Sequence, residues 1–162
     1  LSSITNPQNL KGLIFVVDAA TLSAGDEGLR HTADYLHDVL LLLQKRMESK
    51  NKAVKALKEI PVLIAANKMD LFTALPAALV KSSLETEITK VRNSRSKGLL
   101  DSGIGMEDDG DRDEWLGEVG SKEFKFKQME EFDVTVEVSG GNVTGGEGPS
   151  VEKWWGWVSD RL

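Results

Sequence analysis

The chain has 162 residues, 40% of them apolar, which suits one globular core and leaves little room for a second. Its formal charge of −6 is a local property: residues 101–118 hold eight acids and one base, so the remainder sits near +1. That balance argues against a nucleic-acid binder, direct DNA binding included, and the absence of cysteine excludes disulfides, thiol catalysis and thiolate metal sites.

Residues 1–9 lack the basic and apolar zones of a signal peptide, and the longest apolar run, residues 39–43, is far too short to cross a bilayer. Residues 13–17 form a continuous apolar run ending at Asp18, the pattern of a strand covered on both faces in a parallel sheet. Asp26 and Glu27 favour a helix start, and Leu29, Ala33, Leu36, Leu40, Leu43 and Met47 then recur at helical spacing. A basic stretch, residues 50–58, returns over the surface to Pro61, which introduces a second buried strand at 62–66. Pro76 opens a second helix with Val80, Leu84, Ile88 and Val91 on one face, fading around Arg95. Residues 96–122 lose all periodicity and read as an acidic, glycine-rich, flexible insertion, tacked down by Trp115 and Leu116. Residues 134–138 alternate as a third strand, residues 140–148 form a glycine-rich loop, and Val151, Trp155, Val158 and Leu162 predict a closing helix. The order is strand and helix three times over, an α/β domain with three mainly parallel strands and flanking helices.

The chemistry sits directly after the second strand, at Ala65-Ala66-Asn67-Lys68-Met69-Asp70, where open α/β sheets bind ligands. A carboxylate at Asp70 is an acceptor only, and guanine offers two adjacent donors, its ring N–H and its exocyclic amino group. Adenine offers no such pair and would leave the carboxylate desolvated and unpartnered, at a cost of about 1–3 kcal/mol or more. The stem of Lys68 can cover one purine face while the Asn67 amide ties neighbouring loops together. The competing reading is a polar turn and helix entry, a place that Asn and Asp favour anyway.

Asn67-Lys68-Met69-Asp70 after a buried strand resembles the guanine-specificity motif of the small GTPases. Glu137-Val138-Ser139-Gly140 falls where that family has a Ser-Ala loop whose backbone N–H reaches the guanine oxygen, with Gly140 replacing the usual alanine. Phe15-Val16-Val17-Asp18-Ala19-Ala20 is similar to the Arf-like group. The run Asp70-Leu71-Phe72-Thr73-Ala74-Leu75-Pro76, with Leu84-Glu85-Thr86-Glu87-Ile88, Arg92-Asn93-Ser94-Arg95 and the tryptophan-bearing end, resembles the beta-subunit family of the signal recognition particle receptor. That resemblance implies GTP with Mg2+ as cofactor in the complete domain, and cofactor-binding roles for Asn67, Lys68, Asp70, Ser139 and Gly140. It also implies the receptor's alpha subunit as partner, with ribosome-bound targeting complexes beyond it. The place would be the cytosolic face of the endoplasmic reticulum membrane, reached through an amino-terminal anchor that these 162 residues lack.

No Gly-Lys-Ser or Gly-Lys-Thr phosphate loop occurs in the sequence, and no residue stands out as a catalytic group or magnesium ligand. The expectation is therefore a single partial P-loop GTPase-like domain, residues 1–162, without its amino-terminal strands and phosphate loop. Such a chain would bind GTP only weakly, hydrolyse none, and leave an apolar edge at the first strand. Two rival readings stay open: a docking module with a vestigial nucleotide site, and an Arf-like vesicle-transport GTPase. Among minor features, the acidic tract matches a calcium loop only loosely, Trp154, Trp155 and Trp157 read as packing, and His31 and His37 read as exposed polar positions. Asn142-Val143-Thr144 matches a glycosylation sequon, irrelevant on a cytosolic face.

Overall fold

The computed structural model describes residues 10–23, 26–51, 59–101 and 115–162. Strands β1 (Leu13–Asp18), β2 (Ile60–Asn67) and β3 (Val134–Gly140) form one parallel sheet in the order β1-β2-β3. The helices are α1 (Asp26–Asn51), α2 (Ala77–Asp101) and α3 (Glu152–Ser159), with short 3-10 turns at Thr21–Ser23 and Phe126–Phe132.

The central strand dictates the layering. Ile60, Val62, Ile64 and Ala66 point to the face covered by α1 and α2, while Leu63 and Ala65 point to the face covered by α3, and all six are buried. A strand covered on both faces cannot alternate with polar residues, which is why this one reads as unbroken apolar sequence. Pro61 sits within β2, opposite Thr135, one place inside the strand it was expected to introduce. The α1 stripe is as spaced: Ala33, Leu36, Leu40, Leu43 and Met47 are buried against Val80, Leu84 and Ile88 of α2 and the sheet. Each such aliphatic side chain contributes about 1.5–3 kcal/mol of burial, so this face carries most of the stability.

On the α3 face the cover is narrower. Ile14 and Val16 of β1 are 45% and 60% exposed, so β1 is not covered on both faces as expected, because α3 packs on β2 and β1 lies at the sheet edge, the edge position being as anticipated. Helix α3 itself is turned from the expected orientation. Trp154 and Trp157 are buried against Leu63 and Ala65, whereas Trp155 is 67% exposed and Leu162 almost fully so. Small Ala65 leaves room for an indole, and hydrogen bonds from Trp154 Nε1 to the Ser139 carbonyl (3.1 Å) and from Trp157 Nε1 to Glu137 Oε1 (3.3 Å) satisfy both ring N–H groups.

Three further expectations need correction. Helix α2 runs to Asp101, past Arg95, because Arg95 holds it on α1 by ion pairs to Asp34 (2.6 Å) and Asp38, so the helix outlasts its apolar stripe. The first six residues of the 96–122 segment are thus helical; residues 102–114, with most of the calcium-like tract, lie outside the described residues, as do 52–58 of the basic stretch. Trp115 and Leu116 do tack the segment down: Leu116 is fully buried, and Arg92 stacks on the Trp115 ring at 4.3 Å while donating to the carbonyls of Leu116 (3.1 Å) and Ser121 (2.7 Å). His37 is not exposed but 1% accessible, packed between α1 and α2 beside Arg95. The 3-10 turn at Phe126–Phe132 was unforeseen; it buries Phe126 and Met129, and Glu85 and Thr89 of α2 accept hydrogen bonds from the backbone N–H groups of Phe126 and Phe124.

Candidate functional site

The carboxyl ends of all three strands lie side by side, and the last strand residues and the loops leaving them carry Asn67, Lys68, Asp70, Ser139 and Gly140. Asn67 is the last residue of β2, in register with Asp18 of β1. Its carbonyl accepts the Ala19 N–H (3.0 Å), and its side-chain Oδ1 accepts the Val143 N–H (3.1 Å). One residue thus ties the β1, β2 and β3 loops together, as its amide chemistry suggested.

Lys68 follows in the left-handed region, with φ at 66°. For a residue bearing a Cβ this conformation costs about 1–2 kcal/mol. It sends the side chain across the strand ends, where Nζ meets Asp18 Oδ2 at 2.6 Å. The other oxygen of Asp18 accepts the N–H groups of Ala20 (3.0 Å) and Thr21 (3.1 Å), organising the turn after β1. The Lys68 hydrogen bond holds the Asp18 carboxyl below its ordinary pKa, against a smaller opposing effect of burial.

Met69 turns back toward β3. Its N–H donates to the Gly141 carbonyl (3.1 Å), and Gly141 N–H donates to the Ala66 carbonyl (2.9 Å). A Cβ on Gly140 would lie 3.1 Å from Met69 Cγ, so the Met69 side chain packs closely against this glycine. Ser139 pairs with Ala65, and its carbonyl is held by Trp154, which fixes the end of β3 from the α3 side.

Asp70 is exposed, and its carboxylate makes no hydrogen bond or ion pair among the described residues. Beside it runs the glycine-rich loop: a Cβ built on Gly145 would stand 3.1 Å from Asp70 Cγ and 3.2 Å from Oδ2. That loop is stapled by Asn142, buried, whose backbone pairs with Ser150 (3.0 and 2.8 Å) and whose Nδ2 donates to the Gly148 carbonyl (2.9 Å). The sequon's acceptor nitrogen is therefore consumed inside the fold. The N–H groups of Gly141, Asn142 and Val143 are also taken, whereas those of residues 144–147 have no partner among the described residues.

The arrangement offers a carboxylate without a partner among the described residues, a lysine side chain and unpaired backbone N–H groups at one end of the sheet, a set of donors and acceptors suited to the edge of a purine. All five expected residues lie at this end of the sheet. Asp18, Asn142 and Gly145 were not expected; Asp18 was signalled by its place at a strand end, and the other two had no local signal. Among the described residues no group of three or more histidine, aspartate or glutamate side chains could hold a metal ion.

A family model for the signal recognition particle receptor beta subunit matches residues 1–134. The signal recognition particle receptor subunit beta of Saccharomyces cerevisiae is 30% identical over 159 residues, which is 98% of this chain and 58% of the yeast protein. Two solved structures from Chaetomium thermophilum are also similar. The receptor SRb-GDP-Mg is 53% identical with a TM-score of 0.77, matching 93% of this chain and 61% of that one. The SRb-GTP/SRX complex is 46% identical with a TM-score of 0.80, matching 99% of this chain and 61% of that one. The chain therefore spans about three fifths of the length of these relatives.

Proposed function

The chain belongs to the signal recognition particle receptor beta-subunit family, and on that footing we propose that it supplies the guanine-reading end of a GTP site in a receptor beta subunit. The observation that carries this is the exposed, unpartnered carboxylate of Asp70, flanked by Lys68 and Asn67 at the carboxyl end of the central strand. Asp70 accepts the two adjacent guanine donors, the Lys68 stem lies over one purine face with its ammonium held by Asp18, and Asn67 keeps the three loops in register. Ser139 and Gly140 set the position of the loop that follows β3. The sequence holds no Gly-Lys-Ser or Gly-Lys-Thr phosphate loop, so these 162 residues should bind GTP weakly and not turn it over.

The role that goes with this site is recruitment of the receptor's alpha subunit, and through it ribosome-bound targeting complexes, at the cytosolic face of the endoplasmic reticulum membrane. SRb-GTP in complex with SRX supports a partner joined in the GTP-bound form. No helix among the described residues is long and apolar enough to cross a membrane. The Arf-like vesicle-transport reading gives way to the receptor family. A docking module with a vestigial nucleotide site differs from the proposal in one respect, since its Asp70 would read no base.

Chemical-shift titration of the 162-residue chain with GMP, XMP and AMP decides between them. GMP should shift the amides of Asn67, Lys68 and Asp70 while AMP leaves them in place. Asp70→Asn should weaken GMP about 100-fold, the equivalent of about 3 kcal/mol for two charged hydrogen bonds, and turn preference toward XMP, whose carbonyl accepts from the new amide. Equal responses to GMP and AMP would remove the guanine reading and leave the docking module.

A further inference from the structure

The glycine-rich loop after β3 lies closer to Asp70 than a loop with side chains could. A Cβ at Gly145 would meet Asp70 Cγ at 3.1 Å, Asp70 Oδ2 at 3.2 Å and Asn142 Nδ2 at 2.9 Å. Separations this short force neighbours to move, and two of the three atoms belong to the carboxylate proposed to read the base. The backbone at Gly145 is outside the left-handed region, so an L side chain is tolerated by its dihedral angles. Space, and not backbone conformation, is what opposes a side chain here. The adjacent Gly146 has nothing within 4 Å of its would-be Cβ, so the constraint belongs to one position and not to the loop as a whole.

The wall cannot simply retreat. Asn142 Nδ2 is committed to the Gly148 carbonyl at 2.9 Å, and the Asn142–Ser150 bridge closes the loop's base with two backbone hydrogen bonds. Val143 N–H is held by Asn67 Oδ1 at 3.1 Å, which locks the loop to the residue three places before Asp70. The carboxylate has no hydrogen bond of its own among the described residues, which leaves the nearby loop as the neighbour able to restrict its rotation.

We propose that Gly145 is a specificity-setting position: its bare Cα lets the stapled loop close against Asp70, and this backbone wall holds the carboxylate in the orientation that meets two neighbouring N–H donors at once. The inference rests on the guanine reading of Asp70 and adds the element that makes the contact bidentate. Removing the wall or displacing it leaves a carboxylate able to accept one N–H but not both. The base that reports this is hypoxanthine, which keeps the ring N–H of guanine and lacks its exocyclic amino group.

The test compares GMP with IMP on the 162-residue chain and its variants by chemical-shift titration. The unaltered chain should prefer GMP by about 10-fold or more, the value of one charged hydrogen bond. Gly145→Ala should bring the GMP:IMP ratio to within about 2-fold by weakening GMP while leaving IMP nearly unchanged, and Gly146→Ala should keep the original ratio. Asn142→Ala, which cuts the staple without adding bulk, should also lower the ratio and serves if Gly145→Ala does not fold. An undiminished ratio in a folded Gly145→Ala chain, or in Asn142→Ala where that is the folded variant, overturns the role of the wall while the Asp70 reading stands. Equal binding of GMP, IMP and AMP by the unaltered chain overturns both.

Discussion

Replacing Lys68 by glycine and by alanine separates the backbone cost of the site from the contribution of its side chain. Both variants lose the 2.6 Å pair with Asp18, whose partners are 51% and 32% exposed, so screening limits that loss to about 0.5–1 kcal/mol. They differ in the backbone. At a φ of 66° alanine keeps the left-handed cost of about 1–2 kcal/mol, whereas glycine has none, offset by about 0.5–1 kcal/mol of extra unfolded-state entropy. Lys68→Gly should thus match the original stability closely and exceed Lys68→Ala by about 0.5–1 kcal/mol. That inverts the usual order of these residues and is worth roughly 2–3 °C in melting temperature for a chain of this size. Urea unfolding followed by fluorescence of the buried Trp154 and Trp157 gives the comparison. The Asp18 carboxyl, held low by Lys68, contributes stability above its unfolded pKa of 3.8 that disappears as pH falls through the lower folded value, so both variants should also show a shallower acid limb. Both should bind GMP less well, because the stem over the purine is gone. Alanine equal to or more stable than glycine would refute the claim that strain is retained here for the sake of the site.

Two other outcomes check the corrected parts of the fold. His37 is buried, with Arg95 Nη1 3.1 Å from Nδ1 and no partner for Nε2 among the described residues; burial first and the Arg95 charge second hold its pKa below 6.5, outweighing the upward pull of Asp34 and Asp38. The unfolded imidazole takes up a proton near pH 6.5 and the folded one only at lower pH. Stability should therefore be undiminished by this group above 6.5 and fall below it by at most about 1.4 kcal/mol per pH unit, and His37→Gln should flatten that slope in equilibrium urea titrations. Trp154→Ala should cost about 3–5 kcal/mol, while Trp155→Ala, at an exposed position, should change unfolding free energy by less than about 0.5 kcal/mol; the reverse order would return α3 to the face first expected.

The helix-facing half of the core was legible because its signals are local. The β2 run and the Leu36, Leu40, Leu43 stripe each declare burial through spacing within a single element. The 151–162 segment defeated the same method because indoles at 154, 155 and 157 make both faces of a short helix apolar, so periodicity has nothing to discriminate. What chooses the face is the sheet: Leu63 and Ala65 on β2 shape the groove, and acceptors at Ser139 and Glu137 take the two ring N–H groups. His37 failed for a related reason. Its burial is decided by α2, and by Arg95 in particular, 58 residues away.

The candidate site shows the same division more sharply. Asn67, Lys68 and Asp70 stand out because three polar residues interrupt a buried strand at its ligand-binding end, a contrast contained in a few consecutive positions. Asp18, 50 residues before Lys68, and the Asn142 loop, tied to Asn67 by a contact spanning 76 residues, acquire their meaning only when parallel pairing aligns the strand ends. Sequence similarly hides the setting of two glycines, since the atoms of Met69 and Asp70 that a Cβ at Gly140 or Gly145 would crowd come from another element. A motif can announce which side chain reads a base. If Asp70 reads a base as proposed, the precision of that reading depends on loops that converge across the sheet, so substitutions that leave the four-residue motif intact should still be able to blur it.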